Sequence, residues 1–274
     1  MGMRAMFGKR LLSAIAMCLL VSLHATAADD ATLTREQIKE FLLTAKIVGA
    51  KKAKKGITDS QRLTLSDGKL THDASYQSIN EYKSTKQMAD GRTELNFVDS
   101  YKNNIAAYTV AEMLGVEDML PVYVERKYAG ESGSLSWWLS IKMDEADRVK
   151  QKVAVPDLDA WNNQMYRVRV FDELIYDSDA NLTNVLIGED WKIWRIDFSR
   201  AFRLNKDLKD PNNLVRCDRH LLEKLRTLDG NQLTEKTKRY LTKDAVKGVM
   251  ARRDKIVARF DQLISEKGEA AVLY

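Results

Sequence analysis

The chain has 274 residues, of which 45% are apolar and 30% are charged. This is the composition of an ordinary globular protein, and the length is enough to bury one large core or two smaller ones. With two cysteines and three histidines, the sequence offers little material for a disulfide framework, a zinc site or a serine-histidine-aspartate triad.

The first 27 residues are predicted to be a secretory signal peptide. Three basic residues, Arg4, Lys9 and Arg10, precede an apolar run at 11–23, and a small-residue cleavage motif ends at Ala27. The apolar run is too short for a good membrane span. Without this segment 41 Lys and Arg stand against 39 Asp and Glu, so the charge gives little support to nucleic-acid binding. We expect an exported, bacterial-type protein, periplasmic or secreted, with no stable membrane span after cleavage.

The next part of the chain, to about residue 143, has the pattern of a small β-rich unit with one inserted helix. The predicted elements are a helix at 34–49, strands at 57–65 and 70–82, a helix at 99–115, and strands at 121–126 and 134–141. Thr34 and Gln37 form a capping-box pattern at the start of the first helix. Asp99 or Ser100 caps the second helix, and Gly115 ends it.

The remainder is predicted to be mainly helical. The polar segment 144–156 is interpreted as a connection between two lobes. Apolar residues at helical spacing predict a helix at 158–175, and two more helices are expected at 219–228 and 242–268. We detect no repeat, and one bilobal domain fits the pattern better than two independent ones.

Three polar residues surround a predicted β-hairpin in this second part. Asn184 opens the short strand 185–187 and Asp197 closes the strand 191–196, with a Gly-Glu-Asp turn between them. Pairing centred near residue 190 would make the two cross-strand neighbours, about 5 Å apart at Cβ. An amide oxygen and a carboxylate suit Mg²⁺ or Mn²⁺ bound to nucleotide phosphates. Asp179 lies five residues before Asn184, where a carboxylate can orient or deprotonate an attacking hydroxyl.

This spacing resembles the catalytic segment of the protein-kinase-like superfamily, in which an Asp, an Asn and a second Asp supply a base and two metal ligands. The flanking sequences, Phe-Asp-Glu-Leu-Ile from Phe171 and Ile-Asp-Phe-Ser-Arg-Ala-Phe from Ile196, are similar to the atypical branch. That branch includes HipA-like kinases, phosphatidylinositol 3/4-kinases and secretory-pathway kinases. The resemblance covers roughly residues 165–203. It implies that Asp179 is catalytic and that Asn184 and Asp197 bind the metal.

The same resemblance implies the fold and the cofactors. The expected fold class is α+β, a bilobal protein-kinase-like fold within residues 28–274. Its small β-rich N-lobe, with one helix, would span about 34–143, and its larger, mainly helical C-lobe about 155–270. ATP and Mg²⁺ or Mn²⁺ would bind between the lobes.

Kinase-like N-lobes use a strand lysine and a helix glutamate to hold the nucleotide phosphates, and this sequence departs from that pattern. Gln77 stands where the lysine belongs, with Lys83 six residues later as a substitute, and Asn104 stands where the glutamate belongs. A Gln77/Asn104 amide pair would supply no positive charge. The lysine-rich stretch 49–56 either clamps triphosphate or is a solvated basic loop.

Several functions therefore remain open. The first is an ATP- and metal-dependent phosphotransferase that modifies an acceptor hydroxyl of unknown identity. The second is a nucleotide-binding pseudokinase, which the missing lysine-glutamate pair favours. The third is a secreted structural or binding protein that retains the fold, and nucleotidyl transfer on the same fold is a further alternative.

Overall fold

The computed structural model describes residues 1–2, 33–52, 60–88 and 91–274. Apart from its first two residues, the predicted signal peptide lies outside the described residues, and so does the 53–56 part of the lysine-rich stretch. Within the described part of the chain, no helix is both long enough and apolar enough to cross a membrane.

The first half of the chain is rich in β-structure. Its elements are α1 (Arg35–Thr44), β1 (Lys46–Lys52), β2 (Gln61–Ser66), β3 (Thr71–Gln77), β4 (Asn80–Gln87), β5 (Thr93–Ser100), α2 (Tyr101–Leu114), β6 (Tyr123–Tyr128) and β7 (Glu131–Trp137). Five strands form an antiparallel sheet in the order β1-β2-β3-β7-β6, while β4 and β5 pair as a separate hairpin. The predicted unit of strands with one inserted helix is confirmed.

Local sequence signals set the ends of the helices. The Thr34 side chain accepts a hydrogen bond from the Gln37 backbone, and the Gln37 side chain accepts one from Thr34, so the capping box is formed. The Ser100 hydroxyl caps α2 by accepting from the backbone N–H of Lys102. Gly115 ends this helix with a left-handed backbone, φ 67°.

Two boundaries in this half differ from the sequence prediction. Helix α1 ends at Thr44 rather than near Gly49, because the following residues pair with β2 as a strand. The run 70–82, predicted as one strand, is divided between β3 and β4, which belong to different sheets. Local alternation of polar and apolar residues does not reveal this division, since each strand is defined by a distant partner.

The second half is mainly helical. Its elements are β8 (Met143–Asp144), α3 (Glu145–Gln151), α4 (Leu158–Ile175), β9 (Val185–Ile187), β10 (Ile193–Arg195), α5 (Arg219–Thr227), α6 (Gly230–Thr237), α7 (Lys243–Lys267) and α8 (Glu269–Val272). Strands β8, β9 and β10 form a small sheet in the order β10-β9-β8. The segment 144–156, which was interpreted as a connection between two lobes, contains helix α3, and the Asp144 side chain caps this helix.

Helix α2 joins the two halves. It contacts β6 and β7 of the large sheet and also α5 and α6 of the helical half. Its residues are buried on almost every side, with Ala106, Val110 and Leu114 fully inaccessible. A helix that is apolar around most of its circumference belongs inside the core. The polar residues Asn103 and Asn104 on this helix are thus carried into the interior between the halves.

Close packing around Gly133 of β7 predicts a specific loss of stability. A Cβ atom at this position would lie 2.6 Å from the Gln77 carbonyl oxygen and 2.6 Å from the Tyr76 ring. Gly133→Ala should therefore lower the free energy of unfolding by about 1–3 kcal/mol, measured by urea denaturation. Gly49→Ala is the matched control, because its Cβ meets only the Thr64 side chain at an ordinary 3.5 Å. Equal stabilities of the two variants would contradict this packing.

Candidate active site

The loop between α4 and β9 carries Asp179 in a fixed backbone. Helix α4 ends at Ile175 and is capped by Tyr176, whose backbone is left-handed with φ 48°. The Asp179 backbone N–H donates to the Asp177 carboxylate at 3.0 Å. Its carbonyl accepts from the side-chain amides of Asn181, at 3.1 Å, and Asn184, at 3.4 Å. The chain is thus held on both sides of Asp179, while this residue itself is exposed.

The hairpin of β9 and β10 brings Asn184 and Asp197 to the same end of the small sheet. Val185 pairs with Arg195, and the Ile196 N–H donates to the Asn184 carbonyl at 3.0 Å. The residue directly opposite Asn184 is therefore Ile196, and Asp197 is one position further on. The predicted direct cross-strand pairing of Asn184 with Asp197 is wrong by that one residue. The predicted strand 191–196 is also shorter, because Trp191 belongs to the turn.

Asp197 leaves the strand in an unusual conformation. Its backbone is left-handed, φ 57°, which turns the chain away from the hairpin. One oxygen of its carboxylate, Oδ1, accepts from the Ser199 N–H at 3.4 Å. The side-chain amide nitrogen of Asn184 donates to the Asp179 carbonyl. The amide oxygen of Asn184 and the second carboxylate oxygen of Asp197 are therefore the atoms available to a ligand.

This donor set suits a hard divalent cation that shares its ligands with a phosphate. Within the described residues, no group of three or more His, Cys, Asp or Glu side chains could hold a metal ion by itself. Mg²⁺ is commonly bound through one or two protein oxygens, with phosphates and water completing the shell. Asn184 and Asp197 fit that requirement, and their assignment as metal ligands stays a prediction.

A buried guanidinium organises the three site segments. Arg195 is fully inaccessible. It donates to the carboxylates of Asp172, on α4, and of Asp177, in the loop. It also donates to the backbone carbonyls of Asn184 and Ile196. One side chain therefore holds the loop, the start of β9 and the residue before Asp197 in a single arrangement.

The charges of this group are not balanced by the guanidinium alone. Two carboxylates, the buried Asp177 and the partly buried Asp172, face one Arg195. Burial raises the pKa of Asp177 to about 6, with Arg195 opposing and Asp172 adding to the shift. Burial likewise raises the pKa of Asp172. A second cation lies nearby, because the Lys209 ammonium donates to the Asp177 carbonyl at 3.1 Å.

The predicted amide pair is present between the two halves. The Asn104 side-chain nitrogen donates to the Gln77 side-chain oxygen at 2.6 Å and to the Ser134 hydroxyl at 3.1 Å. The Asn104 side-chain oxygen accepts from the Phe198 N–H at 2.7 Å. Gln77 and Asn104 are both buried. The sheet, helix α2 and the segment after Asp197 are therefore linked by neutral hydrogen bonds.

Lys83 lies away from this contact. It is on β4, in the separate hairpin, where its half-exposed side chain forms an ion pair with Glu81. Lys86 of the same strand also binds Glu81, at 2.9 Å, and lies over the Phe97 ring at 3.9 Å. The role of Gln77, Lys83 or Asn104 in nucleotide binding stays a prediction.

Sequence reasoning missed several groups around the site. Arg195 and Asp177 belonged to no recognised motif, and Asp172 was noted only as part of the flanking sequence Phe171–Ile175, without a role. Asp99 was considered only as a possible cap, but it is buried, and its pKa is raised by that burial and by the charge of Asp197, against the effect of the Ser199 hydroxyl. The signal that could have indicated the Arg195 group was a charged residue within the otherwise β-rich run 191–196, two residues before Asp197.

Comparison with known proteins places the fold. No protein-family model matches the chain, and no curated protein matches it in sequence. The solved structure of hydra Fam20 with sugar has 14% identity and a TM-score of 0.61, covering 87% of this chain and 91% of that one. The Golgi casein kinase has 12% identity and a TM-score of 0.60, covering 87% and 78%. The Helicobacter pylori proinflammatory kinase CtkA is less similar, with 11% identity and a TM-score of 0.47, covering 82% and 98%.

The first two likenesses define the fold class. The chain has a protein-kinase-like fold of the atypical kind, with a β-rich N-terminal part and a helical C-terminal part. The expected fold is thereby confirmed. At these identities the likeness establishes the fold and leaves the activity to be argued from the site.

The buried Arg195 group predicts a pH-dependent stability. The pKa of Asp177 is about 6 in the folded protein because of burial, against about 3.9 in an unfolded chain. The folded state therefore holds the proton more tightly, and the stability that Asp177 contributes is complete below about pH 4 and is lost as the pH rises through about 6. Urea unfolding from pH 4 to 7 covers the interval between these two pKa values and measures the free energy of unfolding at each pH. In Asp177→Asn this free energy should fall less steeply with pH than in the unmodified protein. Asp254→Asn, an exposed change on α7, should leave the descent intact; the reverse pattern would contradict the assignment.

Proposed function

We propose that this chain is an ATP- and divalent-metal-dependent phosphotransferase, an atypical kinase that acts on an acceptor hydroxyl outside the cytoplasm. The observation that carries the proposal is the end of the β9–β10 hairpin. There the amide oxygen of Asn184 and the carboxylate of Asp197 lie next to the loop that carries Asp179. The kinase-like fold of the chain supports this reading.

Each site residue has a role in this proposal. Asn184 and Asp197 would hold Mg²⁺ or Mn²⁺, which supplies positive charge to the phosphates of ATP. The exposed Asp179 would accept a hydrogen bond from the acceptor hydroxyl and take its proton during transfer. Its backbone is held by Asp177 and Asn184, so the carboxylate is positioned before any substrate arrives. Catalysis would rest on positioning and electrostatics rather than on a covalent intermediate.

A second function is favoured by one specific contact. Gln77 and Asn104, which stand in the sequence where the resemblance leads us to expect a lysine and a glutamate, form a hydrogen bond that carries no charge. A chain with this substitution could bind a nucleotide between its halves without transferring phosphate. This alternative is a pseudokinase, a binding module whose ligand stabilises one arrangement of the two halves.

The phosphotransferase proposal predicts distinct effects of two substitutions. Asp179→Asn should lower the rate of label transfer from [γ-³²P]ATP by about 10²–10⁴-fold while nucleotide binding persists, because only the proton acceptor is lost. Asp197→Ala should abolish transfer and metal-dependent nucleotide binding together. Asp244→Asn, an exposed change in the first turn of α7, is the control and should be neutral. Transfer that survives Asp197→Ala would rule out this site.

Binding measurements separate the two candidate functions. A nucleotide present at 100 times its dissociation constant stabilises a protein by about 2.7 kcal/mol, which a thermal-shift titration detects. Metal-dependent stabilisation without transfer to any acceptor would favour the pseudokinase. If the protein shows neither nucleotide-dependent stabilisation nor phosphate transfer, the phosphotransferase and the pseudokinase proposals are both wrong.

Restoring the charged pair predicts a gain in nucleotide affinity. The double variant Gln77→Lys/Asn104→Glu should bind a non-hydrolysable ATP analogue with Mn²⁺ about tenfold more tightly, since a charge-assisted bond is about twice as strong as a neutral one. Asn104→Glu alone should destabilise the protein, because it buries an unpaired carboxylate. Isothermal titration calorimetry measures the affinity.

Lys83→Gln tests the competing assignment in the same experiment. Lys83 is paired with Glu81 on the outer hairpin, so we expect its removal to leave the affinity unchanged. A weaker affinity in Lys83→Gln, with no gain in the double variant, would instead assign the phosphate contact to Lys83.

A further inference from the structure

The chain that follows the hairpin runs alongside the loop that precedes β9. We call residues 199–210 the flanking segment. Near its start, the Arg200 carbonyl accepts from the backbone N–H of Ser178 at 3.3 Å and from the Ser178 hydroxyl at 3.0 Å. Near its end, the Lys209 ammonium donates to the Asp177 carbonyl at 3.1 Å. Two separated points of the flanking segment therefore contact the residues directly before the proposed catalytic aspartate, so an acceptor that reaches this aspartate lies beside the segment.

A buried carboxylate holds the last part of the flanking segment. Glu173 of α4 is 7% exposed, and its two oxygens accept from the backbone N–H groups of Lys209, at 2.7 Å, and Asp210, at 2.8 Å. Burial raises the pKa of Glu173, and these two donors oppose the shift. An ionised acceptor makes hydrogen bonds roughly twice as strong as a neutral one. Glu173 therefore fixes two consecutive peptide groups of the segment to α4.

A buried guanidinium holds the middle of the flanking segment. Arg252 of α7 is fully inaccessible. Its Nη1 donates to the carbonyls of Arg203, at 3.1 Å, and Asn205, while its Nε donates to the Leu174 carbonyl at 2.8 Å. Burial lowers the pKa of Arg252 to about 10, and the charge of Glu173 is among the effects that oppose this shift. Arg252 is therefore protonated at neutral pH and joins the segment to the end of α4.

The β-rich half holds the first part of the flanking segment. Glu94 of β5 forms ion pairs with Arg200 and with Arg203, the second at 3.1 Å. Asn103 of α2 donates to two backbone carbonyls of the same stretch, at 2.9 and 3.0 Å. The first, middle and last parts of the segment thus have separate partners on β5, α2, α4 and α7.

The flanking segment has no accessible hydroxyl group. Residues 200–217 contain no Ser, Thr or Tyr, and Ser199 is 3% exposed. In many kinases the segment that follows the metal-binding aspartate is ordered by phosphorylation, because the added phosphate pairs with arginine side chains. In this chain a buried carboxylate and a buried guanidinium already hold the corresponding segment.

We propose that Glu173 and Arg252 are positioning residues, which hold the flanking segment beside Asp179 in an arrangement that receives the acceptor without prior phosphorylation. Neither side chain reaches the reacting atoms, and both act through backbone groups of the segment. Their role in transfer rests on the proposed phosphotransferase function. The arrangement itself is a property of the folded chain and is measured without any substrate.

Amide hydrogen exchange measures this arrangement directly. In Glu173→Gln one amide oxygen replaces two carboxylate oxygens, so exchange at Lys209 and Asp210 should be about tenfold faster, as expected for the loss of a charge-assisted bond. The core amides of α4 should exchange at their original rates. Glu223→Gln, an exposed change on α5, is the matched control and should alter neither set of amides.

A second variant tests the other positioning residue. Arg252→Lys keeps the positive charge but loses the planar fork of donors, so it releases one of the carbonyls that Arg252 binds. Exchange should then be faster at Phe202, whose N–H donates to the Ile175 carbonyl at 2.6 Å directly before the stretch that Arg252 holds.

The kinetics of transfer distinguish positioning from general stability. With dephosphorylated casein as the probe acceptor and [γ-³²P]ATP as the donor, Glu173→Gln should raise the KM for casein about tenfold and leave the KM for ATP unchanged. Treatment of the unmodified protein with a protein phosphatase should leave its activity unchanged. If the unmodified protein transfers phosphate neither to casein nor to water, the phosphotransferase proposal is contradicted, whereas hydrogen exchange still decides the arrangement of the segment.

The proposal is overturned if exchange at Lys209 and Asp210 is equal in Glu173→Gln and in the unmodified protein. It is also overturned if exchange accelerates equally in the core of α4, which would show a purely structural role. A rise in the KM for ATP alone would assign Glu173 to the nucleotide site, and activity that disappears after phosphatase treatment would show that the segment depends on phosphorylation.

Discussion

The arrangement of the candidate active site depends on the buried guanidinium of Arg195. Its donors reach the carboxylates of Asp172 on α4 and Asp177 in the following loop, and the carbonyls of Asn184, just before β9, and Ile196, just after β10. Removal of such a partner leaves unpaired charge in the interior, which commonly costs about 3–5 kcal/mol. The same contacts fix the backbone on either side of Asp179 and just before Asp197, so stability and site geometry have one common origin.

A second set of contacts connects this centre to the β-rich half, and it is neutral. Asn104 links Gln77 of β3 to the N–H of Phe198, while Asn103 donates to the carbonyls of Ser199 and Ala201 at 2.9 and 3.0 Å. These amides hold the segment after Asp197 against helix α2 without any ion pair. Ion pairs join the two halves elsewhere, since Arg200 and Arg203 bind Glu94 of β5. The neutral amide contacts at helix α2 are therefore the part of this connection that salt screens least.

The sequence predicted those parts of the fold that local signals specify. The capping box at Thr34, the left-handed glycine that ends α2 and the hairpin turn near residue 190 were all readable. The β4–β5 hairpin was not, because the alternation after Gln77 continues across a change of sheet. Arg195 was equally hidden, since its partners Asp172 and Asp177 are 23 and 18 residues away and meet it only in the folded chain.

The charge distribution bears on how a triphosphate would be held. Asp172, Asp177, Asp179 and Asp197 place four carboxylates on or beside the loop, and among the described residues only Arg195 and Lys209 donate cationic hydrogen bonds to it. Gln77 supplies no positive charge where a lysine is expected. An anionic nucleotide would therefore be repelled unless divalent cations enter with it. Under the proposed function, nucleotide affinity should depend on the metal more steeply than in a site that has a lysine at this position, because Gln77 cannot neutralise any of the phosphate charge.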